Sequence, residues 1–71
     1  MRYFDYEKVA QEANIPSDKL DELRQLVRKE FPKDEMLYEL HLLRACMAIK
    51  KGLVTINDAV QEEKKVVEKH L

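Results

Sequence analysis

Turn-forming residues are scarce in this chain of 71 residues: Gly52 is the one glycine, and Pro16 and Pro32 are the two prolines. A many-turned β fold needs more punctuation than that, so the scarcity argues against one. Cys46 is the one cysteine. It excludes an internal disulfide and fits a reducing compartment. No charge of either sign dominates, since 13 Lys and Arg stand against 14 Asp and Glu for a net charge of −1. A protein held to nucleic acid by electrostatics ordinarily shows a basic excess, and the bulk composition has none. Long apolar runs are missing too. The longest apolar region, between Leu40 and Ile49, is interrupted by His41 and Arg44 and is too short to span a bilayer. The opening MRYFDYEKV lacks the apolar centre of a signal peptide. The expectation is a soluble cytoplasmic protein with no membrane partner.

What is present is a globular composition, 38% charged and 45% apolar. The length predicts one small domain over residues 1–71, with a modest core and a thin stability margin. Periodicity predicts four helices. The first spans residues 5–13, where Tyr6, Val9, Ala10 and Ala13 share a face and Asp5 is a fair N-cap. Asn14 stands where a helix end needs a left-handed residue, and Pro16 closes the turn. The second spans residues 17–31, with Ser17 as N-cap, Leu20, Leu23, Leu26, Val27 and Phe31 inward, and Pro32 as stop.

The third helix spans residues 34–51 and carries two apolar stripes. Met36, Leu40, Leu43 and Met47 form one; Leu42, Cys46, Ile49 and Leu53 form the other. Two stripes imply cover from more than one side, hence a central place. Lys50, Lys51 and Gly52 suit its C-terminus. The fourth helix opens on Thr55-Ile56-Asn57-Asp58, a capping box with Asp at its third helical position. Its apolar stripe of Ile56, Ala59 and Val60 breaks at Glu63 and Lys64 and resumes at Val66, Val67 and Leu71. The fold class predicted is all-α, a compact four-helix bundle.

Catalytic and metal-binding patterns are weak. Ser17 and Thr55 are the only serine and threonine, and both fall at helix starts. Cys46 lies inside the most apolar helix, where a thiol is an inert small hydrophobe. His41 precedes it by five residues, roughly 140° around the helix, so the two do not share a face. The residues three before His41 and His70 are Tyr38 and Val67, so the Glu-x-x-His pair of di-iron bundles is absent. Glu35 and Glu39 are spaced to share a cation, but a solvated face explains them as well. His70 suits a helix C-terminus. Neither an enzyme nor a cofactor or metal is expected.

The stretch VAQEANIPSDKL, with its neighbours over residues 6–23, resembles the helix-turn-helix of bacterial regulators. Val9-Ala10 matches the small and apolar pair of that family's first helix, Ile15 the apolar residue after the turn, and Leu20 the buried position of the second. Asn14 departs from the usual glycine. The resemblance implies that the start of the second helix reads DNA in the major groove. Here Ser17, Asp18, Lys19, Asp21 and Glu22 occupy that end, three carboxylates against one lysine for a net −2, which phosphates would repel. Lys19, Arg24, Arg28 and Lys29 are the residues left for a DNA contact. KKGLVTINDAV similarly resembles the joints of small bacterial adaptor and regulatory domains.

The reading favoured by the sequence is a small non-catalytic regulatory or adaptor module that binds another protein or forms a homodimer. Its expected contact residues are Tyr3, Phe4, Tyr38, Val66, Val67 and Leu71, the large apolar groups least explained by the core stripes. The alternative is a helix-turn-helix DNA-binding regulator.

Overall fold

A computed structural model describes residues 3–69. Four helices make up the ordered elements among them: α1 (Tyr6–Glu12), α2 (Ser17–Glu30), α3 (Glu35–Lys50) and α4 (Ile56–Lys69). The fold is all-α. No helix among the described residues is long and apolar enough to cross a membrane.

Local hydrogen bonds set the helix ends. The Lys8 amide donates to the Asp5 carboxylate at 3.2 Å, and the Leu37 amide to that of Asp34 at 3.0 Å, so each aspartate fills an amide its helix leaves open. At α4 the box is reciprocal: the Asp58 amide donates to Thr55 Oγ1 and the Thr55 amide to the Asp58 carboxylate. One expected cap is corrected. Ser17 is not the N-cap of α2 but its first helical residue. Pro16 holds the cap position without a side-chain bond, since its hydrocarbon ring has no acceptor, and its carbonyl accepts from the Leu20 amide.

The C-termini of α1 and α3 close in the same way. The Asn14 and Ile15 amides donate to the Gln11 and Ala10 carbonyls, and the Gly52 and Leu53 amides to those of Ile49 and Ala48. This is the Schellman arrangement, and it requires a left-handed residue just past the helix. Asn14, at φ +59°, and Gly52, at φ +77°, supply it. Phe31 ends α2 at φ −127° and ψ 70°, outside the helical region that a residue before proline avoids.

Packing runs in the spatial order α1, α3, α2, α4, with α1 against α3 and α2 against α4. The third helix holds an inner position but shares it with α2. The main core joins Tyr6, Leu23, Val27, Tyr38, Leu42 and Val60. A smaller cluster of Ala10, Leu20 and Cys46, flanked by Val9 and Ile15, connects α1, α2 and α3. The two stripes expected of α3 need correction. Its buried line is Tyr38, Leu42 and Cys46 with Glu39, while Met36, Met47 and Leu53 are exposed. The reason is geometric: α1 lies along the face that carries Tyr38 and Cys46, and α2 packs beside it, so Met36 and Met47 on the neighbouring flank keep much of their surface in solvent.

Candidate functional site

Three ionisable groups from three helices meet near the end of α2. Glu30 comes from the last turn of α2, His41 from the second turn of α3 and Glu63 from the middle of α4. One ligand-capable atom of each lies within 4.8 Å of the other two. Glu63 falls on the core-facing line of α4, one turn beyond Val60, and is only 8% exposed. His41 Nε2 donates to Glu63 Oε1. Its imidazole keeps about a third of its surface in solvent and tilts against the Phe31 ring, 5.7 Å away between centroids.

The pair is electrostatically coupled. The hydrogen bond to Glu63 raises His41 above its ordinary 6.5; burial opposes this, while the nearby Glu63 and Glu30 carboxylates reinforce it. Burial pushes the Glu63 carboxyl up, but bonds from His41 and Glu30 and the imidazolium charge outweigh it, leaving it below its ordinary 4.5. A bond from Glu30 requires that carboxyl to carry a proton. Without that proton, Glu63 Oε2 is buried and faces no donor.

A second buried carboxylate organises the N-terminal segment. Glu39, 4% exposed, accepts the backbone amides of Tyr3 at 2.8 Å and Phe4 at 2.9 Å. Glu35 pairs instead with Arg28 at 2.9 Å. A shared cation and a solvated face are the two readings that the spacing of Glu35 and Glu39 allows, and Glu39 fits neither: it is core, while Glu35 on the surface is engaged by Arg28.

Among the described residues expected to make contact, one is buried and the others differ in exposure. Tyr3 is exposed, Phe4 is half-buried, and both are held by Glu39. Tyr38 belongs to the core and is corrected to it: Arg28 stacks on its ring at 3.6 Å and the Tyr6 ring meets it edge-on. Val66 and Val67 are half-buried on α4. Leu71 lies outside the described residues, as does His70.

The sequence missed a different apolar region. Met47, Leu53 and Val54 are exposed around the C-terminal end of α3, and Val9, Met47, Lys50 and Lys51 line an open cavity of about 260 Å³ there. Lys50 is tied across to Glu12 at 2.9 Å. The signal available was Gly52: a helix ending there frees the next residue from the helical stripe to which Leu53 was assigned.

Of the four residues considered for DNA, three already meet carboxylates. Lys19 lies 3.8 Å from Glu22, Arg24 contacts Glu7, Asp21 and the Tyr6 hydroxyl, and Arg28 pairs with Glu35. Lys29 is exposed. Cys46 has no solvent exposure, and burial pushes its thiol up to about 11 against a smaller opposing pull from Arg24. A thiol in that state supplies almost no thiolate at neutral pH. The chain matches no family model, and no curated protein or solved structure matches it.

Proposed function

We propose that the protein is a small non-catalytic module that acts by binding another protein through the apolar end of α3, with a second copy of the chain as the first partner to test. Leu53 is the observation that carries this reading. In the equivalent closure of α1, Ile15 folds back onto Ala10, as the apolar residue of a Schellman end commonly does. Leu53 occupies the same place after α3 and is 73% exposed. With Met47 and Val54 beside it and a cavity between Val9 and Met47, it offers a hydrophobic anchor next to a receptive hollow. A 71-residue chain with a modest core also gains more than most from a partner. The charge pairing of Lys19, Arg24 and Arg28 counts against a DNA contact, which would have to break those pairs.

Sedimentation velocity of the wild type and Leu53→Asp over a wide concentration range tests the reading. Association in the wild type that the substitution abolishes, with helicity unchanged, is the expected result. A monomer at every concentration removes the second copy as partner. Salt-sensitive binding to a mixed-sequence DNA duplex would instead promote the nucleic-acid reading.

A further inference from the structure

We propose that Glu30, His41 and Glu63 form a binding site for one divalent first-row transition ion, with zinc as its representative, that joins α2, α3 and α4. The proposal is independent of the association reading and stands on three observations.

The first is the ligand set. One imidazole and two carboxylates from three helices bring an atom each within 4.8 Å of the others. Tetrahedral zinc, with bonds of about 2.0 Å, needs its ligands roughly 3.3 Å apart, a distance that side-chain rotation can close from there. A mixed nitrogen and oxygen set suits zinc and its neighbours, whereas magnesium and calcium prefer oxygen alone.

The second is Glu63 Oε2. The residue is 8% exposed, and unless Glu30 carries a proton this oxygen has neither solvent nor a hydrogen-bond donor. A buried carboxylate oxygen demands a positive partner. A proton shared with Glu30 is one solution, and a metal ion is the other. Charge favours the ion equally well: two carboxylates, a neutral imidazole and a dication sum to zero.

The third is access. His41 is partly open to solvent, so an ion can enter from that side and a water can complete its coordination. The buried face, carrying Glu63, supplies rigidity.

The experiment is calorimetric titration of the full chain, stripped of metal, with zinc chloride and in parallel with magnesium chloride. One zinc per chain is expected, together with proton release, because His41 must give up its proton to bind. Magnesium should not compete. His41→Ala should weaken zinc binding by at least about 100-fold, beyond the 10–100-fold typical of a residue that only supports a ligand. Glu30→Gln, at the more accessible helix end, should weaken it too and covers the case in which His41→Ala does not fold. His70→Ala, the control for the other histidine, should leave affinity unchanged. A wild type that binds no zinc overturns the proposal. So does full affinity in either ligand variant, or magnesium binding as tight as that of zinc.

Discussion

Replacing Glu63 with glutamine isolates the charge of its contact with His41, since the amide keeps the volume of the carboxylate. Glu63 is the buried partner and His41 the partly solvated one. A charge-assisted hydrogen bond contributes about 1.5–3 kcal/mol. Solvent around the imidazole screens part of that, which brings the value down to about 1–2 kcal/mol here. For a domain this small each kcal/mol moves the melting temperature by about 4–8 °C, which gives a fall of about 5–15 °C. The pH dependence has a definite sign. His41 is raised on folding, so its contribution is complete below 6.5 and disappears as pH climbs through the folded value. Glu63 is lowered, so its contribution is present above 4.5 and disappears as pH falls through its folded value. Both act together between 4.5 and 6.5. Circular-dichroism melts of both proteins, in chelator, should show the full gap near pH ~5.5 and a smaller one near pH ~9. Equal gaps at the two pH values, or none at the lower, would refute the argument.

Leu42→Ala empties a fully buried site and should cost about 2–5 kcal/mol by urea denaturation, enough to leave much of a marginal domain unfolded; a cost under ~1 kcal/mol would mean the core is not packed as described. Thr55→Ala breaks the reciprocal cap of α4 and should cost about 1 kcal/mol in the same assay, with Thr55→Ser retaining most of it. Cys46 should resist a thiol reagent in the folded protein and react once denaturant exposes it; rapid labelling of the native state would contradict its burial.

Signals confined to one turn of chain were legible in the sequence. Asp5, Asn14, Gly52 and the Thr55–Asp58 box act on partners within about five residues, and each sits in the structure where its chemistry places it. The failures have a common cause in distance. Glu39 looked like half of a solvated pair because its partners, the amides of Tyr3 and Phe4, lie 36 and 35 residues away. His41 and Glu63 are 22 residues apart, and no spacing rule links them. Met36 and Met47 have the periodicity of a core stripe, yet periodicity says which residues share a face and not whether another helix arrives to cover it. Tyr38 lies off both apolar stripes, which points it outward in the sequence, although the line Tyr38, Leu42, Cys46 is itself a helical face.

The break in the apolar stripe of α4 has a physical explanation that also accounts for how the bundle is fixed. Close packing ties α4 to α2, and Lys64 reaches Glu22 at 3.6 Å on the surface. Apolar contact is tolerant of rotation, so Ile56, Ala59 and Val60 would let α4 roll against its neighbours with little change in buried area. A carboxylate at position 63 does not tolerate rolling, because only one orientation brings it to His41 and Glu30. Glu39 acts likewise on the other side of α3, holding the N-terminal segment by two amides that no hydrophobe could bind. Each buried acid gives up hydrophobic stabilisation at a core-facing site and returns a defined orientation, a trade best attested where polar core groups set register. Where the largest fully buried side chains among the described residues are Leu23, Leu42, Val27 and Cys46, orientation cannot come from the interlocking of a large core. The same three groups that fix α4 are those placed to hold an ion, so occupancy of that site and the angle of α4 would be set by one set of contacts.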